Sequence, residues 1–70
     1  MAQTEITLTG GERLRVEGQP REVEATILAA ARGSIMELAW MTEAGSGQSV
    51  GINPEHVVAL RAASAGSPSS

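Results

Sequence analysis

Ile35-Met36-Glu37-Leu38-Ala39-Trp40-Met41 is apolar at six of its seven positions. A strand with one face in water alternates apolar and polar residues, so this run has apolar side chains to spare. One parity holds Met36, Leu38 and Trp40. The other holds Ile35, Ala39 and Met41, broken only by Glu37. The following Ala44-Gly45-Ser46 reads as a hairpin turn that pairs Trp40 with Val50 and Leu38 with Ile52. That register puts like with like and sends Met36, Leu38 and Trp40 into the core. Met41 then lies over Ser49, Ala39 over Gly51 and Glu37 over Asn53. A small domain with one helix cannot hide both faces of such a strand. Ile35, Glu37, Ala39 and Met41 are therefore the expected interaction surface. The shallow patch at Ala39 and Gly51 suits the chain's own alanine-rich helix, or a second subunit.

Upstream, Ile6 and Leu8 alternate with Glu5, Thr7 and Thr9, and Leu14 and Val16 alternate with Arg13, Arg15 and Glu17. Both are strands by their period of two. A two-residue loop at Gly10-Gly11 places Leu8 opposite Arg13, mixing the faces. A three-residue loop over residues 10–12 pairs Leu8 with Leu14 and Ile6 with Val16, and keeps one face apolar. Its outer face carries Glu5, Thr7, Thr9, Arg13, Arg15 and Glu17, with Glu5 diagonal to Arg15. Arg13 and Arg15 form a second candidate surface.

Between these hairpins lies a helix. Pro20 suits its first position, Glu22 and Glu24 its positive end, Arg32 its negative end, and Gly33 a left-handed stop. Val23, Ile27, Ala30 and Ala31 form its apolar stripe. Downstream, Asn53-Pro54-Glu55-His56 reads as a capped turn, with Asn53 accepting from the backbone ahead and Pro54 at the first position. Residues 57–61 form a last short strand. The small residues 63–70 lack the apolar area to offset ordering and are expected to be a disordered tail.

The composition is as telling for what it lacks. The 70 residues include five arginines, eight glutamates and one histidine, without lysine, aspartate, tyrosine or cysteine, for a net charge of −3. Without cysteine there is no disulfide or thiolate zinc site, and one histidine cannot make a His–His metal pair. His56 reads as a structural residue of its turn. A phosphate loop of the Gly-Lys type needs a lysine, which the chain lacks. No catalysis, cofactor or metal is expected. The start, Met1-Ala2-Gln3-Thr4-Glu5, lacks the character of a signal peptide, and the longest apolar run, residues 27–31, falls far short of a membrane span of about 18. The expected location is the cytoplasm.

The turn Asn53 to His56 between two strands, with a short closing strand after it, makes residues 35–61 similar to the end of Sm-like and SH3-like small barrels. That resemblance implies nucleic-acid binding as the alternative function. Against it stand the net negative charge, arginines spread over positions 13, 15, 21, 32 and 61, and a single ring assigned to the core. The whole chain also resembles short, uncharacterised bacterial proteins of high-G+C genomes, through Gly51-Ile52-Asn53-Pro54-Glu55-His56-Val57-Val58.

The sequence thus predicts one α+β domain over residues 3–61, of order ββαβββ, as a bent antiparallel sheet or open small barrel with one helix. Its core is expected to hold Ile6, Leu8, Leu14, Val16, Val23, Ile27, Met36, Leu38, Trp40, Val50, Ile52, Val58 and Leu60. The expected function is that of a non-enzymatic accessory or regulatory module, in contact with a protein partner or with itself as a homodimer. Nucleic acid is disfavoured and no membrane is involved.

Overall fold

Alternating and helical patterns each fold as their periods dictate. A computed structural model describes residues 2–33 and 37–64. The elements are β1 (Ala2–Leu8), β2 (Arg13–Glu17), α1 (Pro20–Arg32), β3 (Ala39–Thr42), β4 (Ser49–Ile52), a one-turn 3-10 helix (Pro54–His56) and β5 (Val57–Ser64). This is the expected α+β order ββαβββ. The strands form two antiparallel sheets, β2-β1-β5 and β3-β4. They meet at one corner, where Val16 bridges Glu43 and the Ala44 N–H donates to the Arg15 carbonyl at 2.9 Å. They do not close into a barrel.

The helix begins at Pro20, where the Gln19 N–H donates to Glu22 Oε1 at 3.1 Å and occupies one of the orphan donors of the first turn. Val23, Ile27 and Ala30 are buried, and the helix packs mainly on β3. Ala31, one step further round, is exposed. Gly33 does not take the left-handed stop; its φ is −78°, and its N–H closes the last turn on the Ala30 carbonyl.

The first hairpin keeps its expected parity but shifts its register by two residues. Ile6 lies opposite Leu14, Thr4 opposite Val16 and Glu5 directly opposite Arg15. The loop has three residues as expected, but they are residues 9–11. The Leu8 carbonyl accepts from Gly11 N–H and the Leu8 N–H donates to Glu12. In this loop type the last residue needs positive φ, and Gly11 supplies it at +87°. A loop over residues 10–12 would force that conformation on Glu12. The shift brings Thr4 into the core, fully buried, with Oγ1 donating to the Gly18 carbonyl at 2.8 Å. Thr4→Val keeps the shape and removes the bond, leaving the Gly18 carbonyl without its side-chain donor. The expected loss is about 1–2 kcal/mol in a denaturant titration.

The second hairpin departs further. Its pairs are Ala39 with Ile52, Trp40 with Gly51, Met41 with Val50 and Thr42 with Ser49, a slip of one residue. The loop holds four residues, 44–47, closed by Glu43 N–H on the Gln48 carbonyl at 2.7 Å. Gly45 and Gly47 both have positive φ, +95° and +75°, so the second glycine belongs to the turn and not to the strand. Ser46 Oγ braces it, donating to Glu43 Oε1 and accepting from Gln48 N–H. One added loop residue turns every side chain of the strand over.

A second parity change lies in β5. Leu8 pairs with Val57 while Thr7 pairs with Ala59, so Val58 is the extra residue of a bulge. Val57 and Leu60 both pack on the core as a result, and Val58, expected inside, is 62% exposed. β5 also runs on to Ser64, paired with Ala2, because ladder bonds to β1 need no large side chains. The expected boundary at residue 61 therefore moves, and Ala63 and Ser64 belong to the strand. Residues 65–70 of the expected tail lie outside the described residues.

Candidate functional site: the outer face of the second hairpin

The core consists of Ile6, Val16, Val23, Ile27, Ala30, Ala39 and Ile52, with Leu8, Leu14, Met41, Val50, Val57 and Leu60 packed around it. Two residues expected on the interaction surface are therefore inside. Ala39 is 1% exposed and Met41 is half-buried against the core. The helix lies on this side of β3, and a residue as small as Ala39 allows its close approach. Glu37 is exposed as expected. Ile35 and the expected core residue Met36 lie outside the described residues.

The residues expected inside take the outer face instead. Trp40 is 62% exposed and Leu38 38%. Gly51, opposite Trp40 rather than Ala39, is what lets them lie flat. A Cβ on Gly51 would come within 2.9 Å of Leu38 Cδ1 and 3.1 Å of Trp40 Cη2 and Cζ2. The indole and the leucine thus spread over the bare backbone of β4, a cross-strand arrangement suited to an aromatic beside glycine. Around them on the same face stand Thr42, Ser49 and Asn53, all exposed. None of these six residues carries a charge, in a chain with thirteen charged side chains.

Arg13 and Arg15 are exposed on the outer face of the three-stranded sheet, as expected. Strand order adds a third arginine that linear spacing concealed. Glu5 lies opposite Arg15 on one side and Arg61 on the other, giving a cross-strand row Arg15–Glu5–Arg61. Two further rows complete the face: Arg13–Thr7–Ala59 and Glu17–Gln3–Ala63. The face carries three of the five arginines and two of the eight glutamates.

The 3-10 turn forms as the sequence predicts, with Asn53 Oδ1 accepting from Glu55 N–H at 2.9 Å. His56 is exposed, and its backbone carbonyl accepts from Thr9 N–H, tying the turn to the first hairpin. Among the described residues no three histidine, aspartate or glutamate side chains gather in a way that could hold a metal ion. No helix among them is long and apolar enough to cross a membrane. An open cleft of about 230 Å³ lies between β2, the start of α1 and β3, lined by Glu17, Glu22, Val23, Thr26 and Met41. One of its two hydroxyls, Thr42 lining it as well, and one carboxylate are already committed locally, Thr26 Oγ1 to the Glu22 carbonyl and Glu22 Oε1 to Gln19 N–H. The chain matches no protein-family model, no curated protein and no solved structure.

Proposed function

We propose that the protein is a small cytoplasmic accessory module that acts by contact and not by catalysis, self-associating through the outer face of β3 and β4. The observation that carries this reading is the exposure of Trp40 beside Leu38 on a face without charge. Exposed tryptophan in a flat apolar setting is the residue type that most often anchors protein interfaces. A neutral face is also where two copies of a chain with net charge −3 meet with least repulsion. A two-fold contact lays one Trp40 against the region of its partner's, so a single patch serves both subunits.

Light scattering after size exclusion tests it. The mass is expected to rise from 7.2 kDa towards twice that value as concentration reaches the high micromolar range. Trp40→Glu is expected to hold the chain at the monomer mass with its circular dichroism unchanged. A wild-type mass fixed at 7.2 kDa, or a Trp40→Glu variant that dimerises equally well, overturns the reading.

A second reading, nucleic-acid binding, is favoured by the gathering of Arg13, Arg15 and Arg61 on one sheet face. Glu5 and Glu17 share that face and it holds no ring for a base to stack on, so the contact reading is preferred. Binding to RNA or DNA at about 50 mM salt, lost in an Arg13→Ala, Arg15→Ala double variant, would reverse that preference.

A further inference from the structure

Among the described residues β5 pairs with β1 alone, so the far edge of this eight-residue strand presents a row of unpaired N–H and C=O groups. Proteins usually blunt such an edge with proline, lysine, a bulge or a covering element. Here the bulge sits at Val58, at one end, and beyond it the strand contains no proline and no lysine. Ala59 and Arg61 on the outer side and Ala62 on the inner side are all exposed, and no other strand among the described residues pairs with the edge there.

Charge says what would lie alongside. The row through the middle of the sheet alternates Arg15, Glu5, Arg61, and it stops on a cation at the open edge. The next position in that row, about 4.8 Å beyond Arg61, is complementary to a carboxylate. The adjacent rows on the inner side are Leu14–Ile6–Leu60 and Val16–Thr4–Ala62, which reach the edge at Leu60 and Ala62 and call for apolar neighbours on either side of that carboxylate.

We propose that β5 accepts an extended segment of another protein as a fourth strand, with an acidic residue opposite Arg61 and apolar residues flanking it. Backbone bonds to the edge supply attachment and the Arg61 row supplies register, the division of labour found wherever a peptide extends a sheet. This surface is separate from the Trp40 face.

Fluorescence anisotropy with labelled peptides tests the proposal. One peptide alternates valine with glutamate, a second valine with lysine, and a third is the glutamate peptide with its amides N-methylated. The glutamate peptide is expected to bind roughly fivefold to tenfold tighter than the lysine one. The N-methylated peptide is expected not to bind. Arg61→Glu should reverse the preference; because it faces Glu5, circular dichroism must first show it folded, and Arg61→Ala, which should abolish the preference, serves if it is not. Equal binding of the two charged peptides, undiminished binding of the N-methylated one, or no binding at all overturns the proposal. So does a rise in mass that Ala62→Pro abolishes while no peptide binds, since a second copy then covers the edge.

Discussion

Replacing Ala39 by glutamate is expected to abolish the folded state, whereas the same replacement at the adjacent Trp40 is expected to leave it intact. Sequence alone suggests the reverse, because tryptophan is large and apolar and alanine is small. The difference lies in the hairpin register. Ala39 is 1% exposed and faces α1, so a glutamate there must bury an unpaired carboxylate and displace the helix. Either effect costs several kcal/mol, and a domain of this size has only a few to lose. Trp40 leaves the core untouched. Thermal unfolding of the two variants followed by circular dichroism gives the answer. Met41→Glu is expected to fall between them, since Met41 packs half-buried on the core.

The second large effect is expected at Ile6, which is fully buried in the central strand β1, between Leu14 on β2 and Leu60 on β5. Ile6→Ala removes three carbons from the most enclosed point of the sheet and should cost about 3 kcal/mol. That is enough to unfold a large share of the chain at room temperature. Val58→Ala provides the control. Its side chain leaves the core at the bulge, so its removal should change stability by no more than about 0.5 kcal/mol. Urea titration of both variants checks the pair, and similar losses would count against the bulge.

The elements were legible in the sequence because each rests on a local signal. Pro20 starts the helix, Val23, Ile27 and Ala30 repeat at helical spacing, and Asn53-Pro54 caps the turn. Three details of register were not legible, and each hinges on one residue. Gly11 must close the first loop, which moves the register by two and draws in Thr4. Gly47 lengthens the second loop to four, which turns Trp40 outward. Val58 bulges, which exchanges it with Val57. A rule of matching like with like cannot detect these changes, because it assumes that the largest apolar side chain belongs inside. At Trp40 that assumption fails: Trp40 and Leu38 are exposed, on the opposite face of the strand from the one the pattern assigns them. The pairing of Gly51 with a neighbouring aromatic was the available signal for the right one. The gathering of Arg61 with Arg13 and Arg15 depends on strand order, which spacing along the chain does not encode.

Trp40 is the only aromatic ring in the chain, so its fluorescence reports on the proposed contact face alone. The most direct test is its emission over a dilution series, read beside the mass. In dilute solution emission should lie close to that of the unfolded chain, and it should move to the blue as the mass doubles. Blue emission from the dilute monomer would mean that Trp40 is in the core, and mass doubling without a shift would place the contact elsewhere. Either result contradicts the account.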